Sequence, residues 1–200
     1  MISRFAWLVR QHGLIIDMNT QYVALLRGIN VGGNNMIKMA DLKVCLESAD
    51  YQNVTTYIQS GNVLFEAPKT DSAKLERELE QTLIKKFTHY QAWALVLSLD
   101  ELQNIVDSAP AGYGSETDKY RYDVLFIRDP LTPAEVVASV EPKEGVDTID
   151  VGPGAVYNRR LIARASSSRI SRIVGMPIYQ NITIRNWNTT TKLLAMMQAR

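Results

Sequence analysis

One cysteine and two histidines are all that 200 residues offer to thiol or metal chemistry. The lone Cys45 excludes an intramolecular disulfide and fits a reducing, cytoplasmic setting. It recurs with Leu42, Leu46 and Ala49 at helical spacing, the mark of a packed thiol rather than a nucleophile. His12 and His89 are far apart in the chain, so a zinc centre or a histidine-based triad lacks raw material, and neither metal nor cofactor is expected. Long apolar runs are missing too. None approaches the roughly 18 residues that cross a bilayer, so no membrane partner is expected. Arg10 interrupts the apolar stretch from Phe5 to Val9 and no small-residue cleavage site follows, which argues against a secretory signal. Residues 1–17 carry no sustained period and are expected to be a tail or an over-extended start ahead of Met18.

Acidic residues are also missing from the last quarter. Residues 1–150 hold 14 Lys/Arg and 21 Asp/Glu, net −7, whereas residues 151–200 hold 8 Lys/Arg and no acid, net +8. The near-neutral total of +1 conceals this split. Seven of the eight late cations are arginines, the side chain suited to bidentate phosphate or carboxylate contacts.

What is present suffices for a sizeable core: 46% of the residues are hydrophobic and 22% charged. Periods alternate in a repeated order. A strand at residues 21–27 leads through a Gly-rich stretch, 28–35, into a helix near 39–49. Strands at 54–59 and 63–66 flank Ser60, Gly61 and Asn62, a tight hairpin turn. Leu75, Leu79, Leu83 and Phe87 form an amphipathic stripe, and a strand at 93–97 closes the unit. Ser98 with Glu101 makes a capping box for a short connecting helix, followed by a polar linker at 110–119. The order then restarts: a strand at 122–127, a helix opened by Thr132, Pro133 and Glu135, and strands at 148–151 and 156–163 around Gly152, Pro153 and Gly154. A helix at 168–174 and a strand at 182–184 complete the repeat. Both halves read βαββαβ, which predicts an α+β chain of two ferredoxin-like lobes with an extra C-terminal helix at 189–198. The lobes are expected at 18–98 and 121–200, joined by a helix and linker at 99–120, and they should superpose.

Candidate ligand contacts fall in two places. The strand–glycine–helix passage, with Arg27, Asn30, Gly32, Gly33 and Lys38, has backbone donors suited to an anion, although its spacing matches neither a P-loop nor a dinucleotide fingerprint. A tight strand-to-helix crossing explains the same glycines. In the basic segment, Ser168, Arg169, Arg172, Arg185, Asn186 and Lys192 could form one positive surface. Caps and ion pairs with the acidic first half are the competing explanation.

The runs Arg27-Gly28-Ile29-Asn30-Val31-Gly32-Gly33, Ile37-Lys38-Met39 with Leu42, and Thr56-Tyr57-Ile58-Gln59-Ser60-Gly61-Asn62-Val63 carry a resemblance. So do Thr183, Arg185-Asn186-Trp187-Asn188-Thr189 and Lys192-Leu193. In this order, over roughly residues 20–197, they resemble the bacterial family called domain of unknown function 1697. The resemblance implies a compact α+β protein and transfers no catalytic residues, since the family's activity is unassigned. Three functional classes stay open: a module binding an anion such as a nucleotide or nucleic-acid phosphate, an enzyme acting on a small phosphorylated or carboxylated substrate, and a non-catalytic interaction module. Oligomeric state is not legible.

Overall fold

The structure, a computed structural model, describes residues 19–30 and 35–200. The N-terminal tail, together with Gly32 and Gly33 of the Gly-rich loop, lies outside the described residues. The first lobe comprises β1 (Asn19–Leu26), α1 (Met39–Glu47), β2 (Gln52–Tyr57), β3 (Asn62–Pro68), α2 (Ser72–Lys86) and β4 (Ala94–Ser98). A connecting helix, α3 (Leu99–Asp107), opens on the reciprocal Ser98–Glu101 capping box. The second lobe has β5 (Tyr120–Ile127), α4 (Pro133–Ser139), β6 (Asp147–Gly152), β7 (Ala155–Leu161) and β8 (Ile182–Asn186), and α5 (Trp187–Gln198) ends the chain.

Each lobe is one antiparallel sheet, in the orders β2-β3-β1-β4 and β6-β7-β5-β8. This is the ferredoxin-like arrangement written twice, in an α+β fold. Equivalent hydrogen bonds fix the correspondence, because Leu26 N–H donates to Gly61 O in the first lobe and Ile127 N–H to Gly154 O in the second. From those anchors Tyr22 matches Asp123, Phe65 matches Asn158 and Arg27 matches Arg128.

Alternation of side chains gives each sheet two faces. The inner faces, through Val23, Leu25, Leu64 and Leu95 on one sheet and Val124, Phe126, Ala155 and Tyr157 on the other, share one core with α3 and α5. The lobes are thus one packed body rather than beads on a linker. The outer face of the first sheet packs on α1 and α2, and that of the second on α4 and a run of 3₁₀ turns.

Those turns are the main departure from the sequence expectation. Where a helix was predicted at 168–174, three 3₁₀ segments occupy Ile162–Ser167, Ile170–Gly175 and Pro177–Asn181. Three successive serines offer the backbone competing hydrogen bonds, Gly175 and Pro177 interrupt any longer helix, and the buried pair Ile170 and Ile173 is spaced for three residues per turn.

Candidate functional site

The resemblance-bearing runs converge, but on a joint between the lobes. Arg185 on β8 is buried and spends its guanidinium on the chain itself. Its Nε donates to Asn62 Oδ1, Nη1 to Thr183 Oγ1 (3.0 Å) and Ile184 O (2.9 Å), and Nη2 to Leu26 O (2.8 Å) and Ser60 O (3.1 Å). Burial lowers its pKa to about 10, which leaves it charged at neutral pH. Gly61, between Ser60 and Asn62, packs tightly within the first lobe, since a Cβ there would lie 2.4 Å from Ile29 Cγ2 and its φ is +74°.

The matched arginines exchange partners across the pseudo-symmetry. Arg27 reaches into the second lobe, donating to Tyr179 O and Ile182 O, with its guanidinium 4.5 Å from the Trp93 ring centre. Arg128 reaches into the first, pairing with Glu76 (2.8 Å) and Glu80 (2.6 Å) of α2. Burial drives the Glu76 carboxyl above its usual range against the pull of Arg128 and the Val96 N–H. An interlobe cleft of about 330 Å³ opens beside this pair, yet its Glu76, Arg128 and Glu101 already have partners.

The other expected contacts are scattered. Asn30 (φ 53°) ties its loop to the β2–β3 turn, donating to Ile37 O and Gln59 O and accepting from Ile37 N–H. Asn186 caps α5 by accepting from Thr189 N–H at 2.7 Å. Lys38, Arg172 and Lys192 are exposed. Arg169 pairs with Glu141 at 3.3 Å. The single positive surface expected from the sequence does not assemble. The 3₁₀ run bearing Ser168, Arg169 and Arg172 packs through Ile170 and Ile173 on the outer face, and α5 bearing Lys192 packs through Leu193 and Leu194 on the inner face. Arg185 stands on edge strand β8, three strand spacings or about 14 Å from the β6 edge where Arg169 N–H meets Asp147.

A different polar cluster lies at the end of the second sheet's outer face. Asn158, in the middle of β7, is fully buried between Asp123 of β5 and Ile149 of β6, and both its amide oxygen and nitrogen lack a hydrogen-bond partner among the described residues. Two residues on and on the same face, Arg160 has an unpartnered buried Nε and lies 3.8 Å from Asp123 through Nη2. Asp147, paired with Arg160 across β6 and β7, accepts from Lys143 N–H (3.0 Å) and Arg169 N–H (2.9 Å) through Oδ2. Its Oδ1 and the buried Ser168 Oγ have no partner of good geometry. Burial pushes the Asp147 carboxyl up, but the nearby Ser168 hydroxyl and those two N–H groups outweigh it and hold the group below its usual range. At Asp123 burial wins over Arg160 and Arg121, and its pKa is raised.

Asp123 also lines a cleft of about 230 Å³ with Tyr120, Arg121, Tyr122, Ile162 and Trp187. The cleft exists because β8 pairs only with residues 123–127 of β5 before turning into α5, which leaves one edge of residues 120–122 uncovered. Asp123 is the residue of the polar cluster that lines this cleft, while Asn158 and Arg160 stand on β7, on the other side of β5 from its open edge. None of Asp123, Asn158 and Arg160 was singled out by the sequence as an individual contact. Among the described residues no group of three or more His, Cys, Asp or Glu could hold a metal ion, and no helix is long and apolar enough to cross a membrane.

Comparison with known proteins agrees with this architecture. The solved structure of the conserved bacterial protein SP0830 from Streptococcus pneumoniae is similar at a TM-score of 0.76 and 29% identity, over 90% of this chain and 99% of that one. No curated protein matches. The family described as "Protein of unknown function (DUF1697)" matches residues 18–157, most of the chain, and the chain belongs to that family.

Proposed function

We propose that the protein binds a small phosphate-bearing molecule at the polar end of the second sheet, with Arg121 and Arg160 supplying the counter-charge. The observation that carries this reading is Asn158. An amide sealed inside a sheet with neither polar atom paired costs stability, on the order of 1–3 kcal/mol per unsatisfied group. A binding site gives a reason to retain it. A small ligand is favoured over nucleic acid because the late arginines are divided between the joint, the two sheet faces and the surface rather than drawn into one basic track. A cytoplasmic setting belongs to the same reading, since the single thiol, Cys45, is buried.

An enzymatic role is the second reading, supported by Asp123. A carboxyl with a raised pKa facing a cleft is suited to carry a proton, with the arginines clamping the anionic end of the substrate. Calorimetric titration with ribose 5-phosphate and inorganic phosphate tests the binding reading. Arg160→Leu should abolish the signal, and Lys38→Ala, an exposed change in the other lobe, should leave it intact. Equal losses in both variants, or no heat from either phosphate with the native chain, would overturn it.

A further inference from the structure

We propose that the molecule bound at this end of the second lobe carries a planar heteroaromatic ring of nucleobase type, seated in the 230 Å³ cleft. The inference rests on the anion-binding reading and adds the identity of the rest of the ligand.

Three aromatic side chains, Tyr120, Tyr122 and Trp187, line a cleft of that small volume. They are braced from behind. The Tyr113 ring meets Trp187 edge-on at 5.0 Å and Tyr122 at 4.8 Å, and Tyr122 meets Tyr120 at 6.3 Å. Tyr113 is pinned in turn, its hydroxyl donating within reach of both Asp123 O and Asn158 O at 2.9 Å. Gly114 keeps the indole in place, because a Cβ there would stand 2.3 Å from Trp187 Cδ1. Tyr122 is buried and Tyr120 and Trp187 are half-buried, with Arg159 4.7 Å from the Tyr120 ring centre, so Tyr120 and Trp187 supply the braced aromatic surface for a base to stack on.

The polar lining complements a base more closely than a sugar or an aliphatic acid. Asp123 can accept from a ring N–H or an exocyclic amine, Asn188 offers an amide at the rim, and Arg121 stands where an anionic group would lie against the open edge of β5. Asp123 is the one residue that the cleft and the buried cluster share. The ring fills the aromatic pocket, and Asp123, held beside Asn158 and Arg160, reads its edge.

The test compares dissociation constants of the four ribonucleoside 5′-monophosphates with that of ribose 5-phosphate, for the native chain and for Tyr120→Leu. At least one monophosphate should bind about tenfold or more tightly than ribose 5-phosphate, and Tyr120→Leu should reduce that ratio while the sugar phosphate binds as before. Tyr120 is partly exposed, so the variant keeps its core. If monophosphates and ribose 5-phosphate bind equally, the ring inference falls and the anion reading stands. If no phosphate compound binds, both fall.

Discussion

The same position in the two lobes is filled in opposite ways. On the outer face of the first sheet, Tyr22 and Phe65 stack at 5.7 Å, and Tyr51 closes on Phe65 edge-to-face at 5.0 Å, under two regular helices. On the second, Asp123 and Asn158 occupy the matching pair, Arg160 takes the place of Ala67, and 3₁₀ turns lie above. Backbone topology is shared, so it demands neither solution. The first lobe shows what the fold does when only packing matters. On our proposal the polar residues of the second serve a ligand, and they are expected to lower the stability of the unliganded fold.

Breaking the comparison from the packed side should give the largest effect. Phe65→Asn transplants the second lobe's residue into the first, removing a fully buried ring that contacts Tyr22 and Tyr51. A loss of about 3–5 kcal/mol is expected in urea unfolding, with further cost from the stranded amide. Next comes the joint. Leu97 stands in the first lobe where Arg185 stands in the second, so Arg185→Leu makes the lobes alike but strips donors from Leu26 O, Ser60 O and Asn62 Oδ1. About 3 kcal/mol should be lost, because the arginine holds one lobe to the other.

The opposite transplant carries the opposite sign. Asn158→Leu should raise stability by about 1–3 kcal/mol, measured as the same unfolding midpoint shift, because it removes two unpartnered polar atoms from a buried site. The smallest effect is at Asp123. Burial raises its folded pKa above the unfolded value, so the native state holds the proton longer, and stability falls as pH rises from the ordinary carboxylate range through the raised value. Asp123→Asn should therefore melt slightly above the native protein at neutral pH. The advantage should vanish below the ordinary carboxylate range, where both states are protonated.

Much of the fold was legible in local chemistry. Ser60-Gly61-Asn62 and Gly152-Pro153-Gly154 mark hairpins, and the capping boxes at Ser98 and Thr132 fix two helix starts. The candidate site was not. Asp123 alternates with Tyr122 and Val124, and Asn158 and Arg160 fall in a polar run with Arg159, patterns indistinguishable from an ordinary solvent-facing side until the 3₁₀ run is known to pack on that face. Arg185 misled for the same reason, since sequence shows a cation's presence but not its burial. One signal was within reach: Val23-Ala24-Leu25-Leu26-Arg27 aligns with Val124-Leu125-Phe126-Ile127-Arg128. Extending that match by one residue sets Tyr22 against Asp123.

The most direct test of the claim that the second lobe's polar face exists for a ligand is the melting temperature of Asn158→Leu with and without saturating ribose 5-phosphate. The account predicts a variant that melts above the native protein when alone and fails to gain the ligand-dependent rise that the native protein shows. A variant that melts below the native protein, yet keeps that rise, would contradict it and make Asn158 a structural residue.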